Sequence, residues 1–360
     1  MAMTSQKIKV AVLGATGAVG QQFIRLLHNH PMFEIAALCA SDRSEGKRYD
    51  EAVHWILDTD IPAGVRGLVV QATDAAMVHS QNPEIQFAFS ALPNESAEQA
   101  EPAFAKAGML VFSNASKYRM ALDVPLVITE VNHDHLNLLR HQRIARGWAG
   151  GIVCNTNCTV SGPALSLKPL HEQFGVKRVF AVSMQAASGA GYPGVASLDL
   201  IDNAIPYIKG EEEKLQAETC KLLGTLGNRS INDAAIDVSA HCNRVAVMDG
   251  HLVTMSVELA TAATPEECAA AMHDWRCAAV AGLPTAPDQP VVVRTEPDRP
   301  QPRRDRNTGH GMSAVVGRVR PEPLFGKYGV KFITLAHNTI RGAAGGSVLN
   351  AEMVVRKELF

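Results

Sequence analysis

Apolar and polar positions along this chain change period twice. Residues 7–13, KIKVAVL, are an apolar run of strand length; GATGAVG breaks it, and in QQFIRLLHNH the residues Phe23, Leu26 and Leu27 recur at helical spacing. FEIAALCAS (33–41), GLVVQAT, IQFAFSAL (85–92) and LVFSNAS repeat the strand signature, with polar or helical stretches between several of them. Strands that alternate with helices predict a parallel, doubly wound sheet of the Rossmann type. Beyond about residue 155 the pattern shifts: a helix is predicted from Thr159 to about Gln173, then a strand VKRVFAVSMQAAS and a charged helix GEEEKLQAETCKLLG. The strands NRVAVMDGHLVTMSVELA and SAVVGRVRPE follow. This mixture predicts an α+β second domain with helices on one side of its sheet. The stretch 283–308, rich in Pro and Arg, reads as a surface excursion, and NTIRGAAGGSVLNAEMVVRKEL as a helix that returns to the first domain.

Length and charge narrow the function. At 360 residues the chain suits two domains of roughly 150 residues each. Lys and Arg total 34 against 36 Asp and Glu, without a basic block, so nucleic acid is not expected and a small molecule is the predicted partner. No apolar run approaches the ~20 residues of a membrane span. Seven scattered cysteines and the lack of a signal-like N-terminus predict free thiols in the cytoplasm.

Two stretches carry chemistry. GATGAVG, from Gly14 to Gly20, follows a strand and opens a helix, where glycines let a pyrophosphate approach backbone N–H groups at the helix start. A tight packing turn would need no such context. At the end of the second strand, SDRSEGK offers Ser41, Arg43, Ser44 and Lys47 to a ribose 2′-phosphate, which favours NADP over NAD; Asp42 is the contrary residue. The other stretch is VCNTNCTV. Free cysteine is usually a small hydrophobe, but Cys158 precedes a predicted helix whose N-terminus would lower its pKa. Zinc binding by Cys154 and Cys158 lacks a second ligand pair, so no metal is expected. Among 13 histidines, His251 lies beside an apolar strand with Arg244 seven positions earlier, whereas His28, His30, His133 and His135 sit in polar or terminal stretches.

In order along the chain, GATGAVG, SDRSEGK, SNASKYRM, NTNCT, QAASGAGYPG, IPYIKGEEEK, RVAVMDGH and RPQPRRDRNTGHGMSAVVGRVR closely resemble the aspartate-semialdehyde dehydrogenase family, in its archaeal and fungal branch. The resemblance covers nearly the whole chain and weakens before Arg299. It implies an NADP-binding domain over 1–157 with a C-terminal helix over about 339–360, and a catalytic and dimerisation domain over 158–338. It also implies Cys158 as nucleophile, His251 as acid–base group and Gln185 as the residue orienting the acyl intermediate. Arg244 would grip the substrate's α-carboxylate, one of Glu211, Glu212 and Glu213 its amino group, with Glu211 favoured by its spacing to Lys214, and Lys214 and Arg119 the phosphate, with Asn157 before the thiol. The cofactor residues implied are Gly14, Thr16, Gly17, Ala18, Val19, Ser41, Arg43, Ser44, Ser90, Ser188, Gly189 and Asn338. Ala246 and Tyr118 stand where members often have Pro and His, and Val160 where smaller or hydroxyl residues occur.

The implied reaction is the NADPH-dependent reductive dephosphorylation of L-aspartyl-4-phosphate to L-aspartate 4-semialdehyde, on the route to lysine, threonine and methionine, by a homodimer or homotetramer. Malonyl-CoA reductase shares SGAGYPG and a related C-terminal motif and remains an alternative, as does, more distantly, N-acetyl-glutamyl-phosphate reductase. A nonenzymatic NADP-binding sensor on the same fold is a further alternative.

Overall fold

A computed structural model describes residues 7–360. Two seven-stranded sheets organise them. The first holds β1 (Ile8–Leu13), β2 (Phe33–Ala40), β3 (Gln71–Ala72), β4 (Ile85–Ser90), β5 (Leu110–Ser113), β6 (Leu126–Val127) and β7 (Gly151–Asn155), in the order β3-β2-β1-β4-β5-β7-β6. Every pairing is parallel, as the alternation of strands and helices predicts. Parallel strands covered on both faces read as continuous apolar runs, and β5 and β7 are buried at every position. Phe23, Phe33, Phe87, Phe89 and Phe112 cluster in this core with neighbouring centroids 5.2–5.8 Å apart. Each such ring contributes about 1.5–3 kcal/mol by leaving water.

The second sheet is mixed. It is built from β8 (Val176–Gln185), β9 (Ala204–Ile205), β12 (Asp237–Val245), β13 (His251–Leu259), β14 (Val291–Arg294), β15 (Ala314–Pro321) and β16 (Gly329–Ala336), with β10 (Thr225–Leu226) and β11 (Ile231–Asn232) forming a separate hairpin. The helices Ser161–Phe174 and Pro265–Asp274 pack beside it; the latter starts with a capping box between Thr264 and Glu267. The Gly345–Arg356 helix, buried along its length to Val354, returns to pack on β5 and β7.

Three sequence expectations need correction. The strand in GLVVQAT shrinks to Gln71–Ala72, which pairs only with the end of β2. The stretch 283–308 is not wholly a surface excursion: Val291–Arg294 pairs in parallel with β15, and Val291 is fully buried. The strand Gly329–Ala336, not anticipated, lies inside the sheet between β15 and β13.

The two sheets meet where the site forms. The carboxyl ends of β1, β4, β5 and β7 open toward the ends of β8, β12 and β16 and the start of β13, the crevice in which open α/β sheets hold ligands.

Candidate active site

Strand register brings the predicted residues together. β12 runs parallel to β8 and sets Arg244 beside Gln185, while β13 begins at His251, opposite Ala336. Cys158 lies three residues beyond the end of β7, and its Sγ is 3.3 Å from His251 Nε2. On the other side of the ring, His251 Nδ1 accepts the Ala186 backbone N–H at 3.0 Å. An N–H can only donate, so the neutral ring carries its proton on Nε2, facing the sulfur. Burial, then the nearby Arg244 charge, pulls the His251 pKa down to about 3.

The thiol departs from the sequence expectation. The following helix starts only at Ser161, and burial, reinforced by the Glu211 carboxylate, pushes Cys158 up to about 12 against the opposing charges of Arg119 and Arg244. Desolvation outweighs any benefit of the helix terminus. Gly342, in a π-helical turn over Ile340–Ala344, forms the wall behind it: a Cβ there would fall 2.7 Å from Cys158 Cα.

Of the three glutamates in GEEEK, Glu211 faces the thiol loop. Its carboxylate accepts both Asn157 Nδ2 contacts at 3.0 Å, Gln185 Nε2 at 3.3 Å and Lys214 Nζ at 2.9 Å. Burial alone would raise its pKa, but Lys214, Asn157 and Gln185 together hold it below the ordinary value. Glu212 instead accepts from the Cys242 backbone N–H, and Glu213 is exposed. Arg244 donates to the Ala186 carbonyl at 2.7 Å, and burial lowers its pKa. A side chain at Gly189 would collide with Arg244 and His251 at 2.7 and 2.9 Å.

A cavity of about 490 Å³ joins these groups to the glycine turn. Arg119, Asn157, Cys158, Glu211, Lys214 and Arg244 line one part, and Ala18, Val19, Ser188, Gly189 and Asn338 another. Gln185 and His251 are buried behind that lining. Gly14, at φ +76°, makes the turn; a Cβ there would strike the Ala91 carbonyl at 2.8 Å. Gly17, beside Thr16, is exposed just before the Ala18–Leu27 helix, whose first turn has no side-chain cap. Uncapped N–H groups at an exposed helix start fit a pyrophosphate. Ser41 and Arg43 stand exposed at the end of β2, Ser44 is buried beneath them, and Ser90 is wholly buried and does not line the cavity. Asn338 bridges Ser188 and the Gly250 N–H at 2.8 Å each, tying the loop after β16 to the turn before His251.

Sequence reasoning missed Ala186, whose N–H sets the histidine tautomer, and Glu218, whose carboxylate holds Arg119 and the thiol loop. The spacing Glu211, Lys214, Glu218 marks one helix face and was the available signal for Glu218. Among the described residues no cluster of three or more His, Cys, Asp and Glu could hold a metal ion, and no helix is long and apolar enough to cross a membrane.

A half-buried cysteine at the end of the parallel sheet meets a buried histidine at the start of a strand of the mixed sheet, and the sequence places this pair in the semialdehyde-dehydrogenase class of oxidoreductases. Residues 9–139 match the family profile described as "Semialdehyde dehydrogenase, NAD binding domain", and residues 167–341 the one described as "Semialdehyde dehydrogenase, dimerisation domain". The aspartate-semialdehyde dehydrogenase of Archaeoglobus fulgidus is 49% identical over 98% of this chain and 100% of its own. That of Methanothermobacter thermautotrophicus is 46% identical over 96% and 99%. The crystal structure of aspartate semialdehyde dehydrogenase with NADP from Candida albicans superposes with a TM-score of 0.89 at 39% identity, covering 99% of this chain and 100% of that one. The chain belongs to the aspartate-semialdehyde dehydrogenase family.

Proposed function

We propose that this protein reduces L-aspartyl-4-phosphate to L-aspartate 4-semialdehyde with NADPH, releasing phosphate, through a thioacyl intermediate on Cys158. The observation that carries the reading is the Sγ–Nε2 contact of 3.3 Å in a cavity faced by Arg119, Arg244, Glu211 and Lys214. Arg244 receives the α-carboxylate, Glu211 the ammonium, and Arg119 with Lys214 the phosphate. The sulfur bonds to the acyl carbon, the C–O bond to phosphate breaks, and the thiol proton leaves with the phosphate as hydrogen phosphate. His251 remains neutral and donates from Nε2, first to the sulfur as its charge develops and then to the tetrahedral oxyanion. NADPH supplies the hydride that reduces the thioester carbon. Expulsion of the sulfur, received again by the Nε2–H, frees the aldehyde, and the thiolate takes up one proton from solvent, which replaces the one that left with the phosphate.

The cofactor lies, in this reading, across the turn from Gly14 to Val19, with Ser188, Gly189 and Asn338 toward the thiol and Arg43, with Ser41 and Ser44, at the 2′-phosphate. The domains divide at 157/158, with about 339–360 joining the first. Exposed Phe180, Tyr192, Leu198, Ile201 and Tyr207 in the second domain support a homodimer, and seven free cysteines support a reducing, cytoplasmic setting. The buried, ionised Glu211 favours an amino-acid substrate over malonyl-CoA, which carries no ammonium.

The test is NADP reduction by purified protein with aspartate semialdehyde and phosphate, beside NADPH oxidation with malonyl-CoA, and Cys158→Ala as the blank. Phosphate-dependent turnover lost in the variant supports the reading. Turnover of malonyl-CoA alone, or silence in both assays, overturns it.

A further inference from the structure

The Glu211–Leu222 helix carries charge beyond the pair already described. Glu218 and Lys221 continue the face of Glu211 and Lys214, and both are buried, at 1% and 3% exposure. One oxygen of Glu218, Oε1, accepts from Arg119 Nη1 at 3.0 Å. The other, Oε2, accepts from Thr156 Oγ1 at 2.9 Å and from the Asn157 backbone N–H at 2.6 Å. A single carboxylate thus binds the guanidinium assigned to phosphate and the peptide immediately before the nucleophile. Lys221 secures the other end of the arginine: its Nζ donates to the carbonyls of Arg119, Ala121 and Val124 at 2.6, 2.9 and 3.0 Å. Arg119 also donates from Nη2 to the Asn114 carbonyl at 2.7 Å, while its Nε is buried without a partner.

Two buried charges kept in one geometry cost desolvation, which their mutual attraction and the hydrogen bonds to Nη1, Nη2 and both Glu218 oxygens offset. A guanidinium held this way cannot swing toward solvent, and a site works only when its groups are held to a fraction of an ångström. We infer that Glu218 is a positioning residue that fixes the distance between the bound phosphate and the Cys158 sulfur, by holding Arg119 and the Asn157 peptide at once. The inference rests on the reading of Arg119 as a phosphate ligand.

Glu218→Gln is the direct test, because an amide has only one acceptor oxygen and cannot serve both partners. In the NADP-reduction direction the variant is expected to raise the phosphate KM at least tenfold and lower kcat at least tenfold, with the NADP KM within twofold. Glu218→Asp, which keeps the charge, recovers part of the phosphate KM. A folded Glu218→Gln protein with phosphate KM and kcat within twofold of wild type overturns the inference. The double variant Arg119→Gln with Glu218→Gln removes both buried charges and guards against a folding failure of the single one. Its Cys158 alkylation by iodoacetamide should differ at least fivefold from that of wild type; equal rates sever Glu218 from the nucleophile loop and overturn the proposal. Alkylation needs no substrate, so it separates failure of this inference from failure of the activity itself.

Discussion

The Ala186 backbone N–H donates to His251 Nδ1 at 3.0 Å, and this contact decides how the histidine meets the sulfur of Cys158. It fixes the proton on Nε2, 3.3 Å from Sγ, and together with burial it makes the ring a neutral donor rather than a store for a second proton.

Nitrogen-15 NMR of the ring should therefore show a protonated Nε2 and an unprotonated Nδ1 at neutral pH. His251→Ala should lower kcat by about 10²–10³, the usual effect of deleting a donor to an oxyanion. His251→Gln, which can still present an N–H, should lose less.

Stability should follow the same group. Between its ordinary value of 6.5 and about 3 the unfolded chain binds a proton at His251 that the folded protein refuses. Unfolding free energy from this residue accordingly falls as pH falls through that window, by up to about 1.4 kcal/mol per pH unit. Urea titrations from pH 7 to pH 4 should show wild type losing stability relative to His251→Gln; parallel curves would contradict the burial assigned to the ring.

Gly342→Ala should act on the nucleophile without touching any charged group. The added methyl would lie 2.7 Å from Cys158 Cα, too close for real atoms, so the sulfur must shift. Displacements near 1 Å cost about 10²-fold in rate. Steady-state kcat should fall by that order while NADP binding, followed by fluorescence, changes little.

Glu211→Gln should raise the KM for aspartate semialdehyde about tenfold or more, the value of a charge-assisted hydrogen bond. Succinic semialdehyde, which has no amino group, should show no such penalty. Equal losses with both aldehydes would remove Glu211 from ammonium recognition.

Arg43→Ala should raise the NADP KM about tenfold and leave NAD little changed, since only the former presents a 2′-phosphate to a guanidinium. Parallel effects on both cofactors would place the discrimination elsewhere.

Much of this was legible from periodicity. The β1 run, the glycine turn and the helix after it lie where KIKVAVLGATGAVGQQFIRLL predicts them, because local pattern and burial agree. Val291–Arg294 was hidden by the prolines around it, since only its pairing with β15, from Val291↔Ala314 to Arg294↔Gly317, marks it as sheet. The thiol pKa was misjudged for a related reason: a helix start can be read locally, whereas the burial that raises Cys158 is contributed by distant segments such as Gly342. Spacing puts Glu218 on the helix face of Glu211 and Lys214, but its role was not legible, because its partners Arg119 and Thr156 are 99 and 62 residues away in sequence.

The charged ring around the cavity also has a bearing on how the enzyme meets its solvent. Among the groups that line the cavity, Arg119, Lys214 and Arg244 bring three positive charges and Glu211 one negative one, while the thiol of Cys158 and the imidazole of His251 are neutral near pH 7. Two positive charges are left over in a concave site, where clustered charge of one sign attracts small anions. Sulfate, arsenate and the phosphate of a storage buffer are therefore drawn to the same spot as the substrate's leaving group, and the choice of buffer anion becomes a variable of the kinetics.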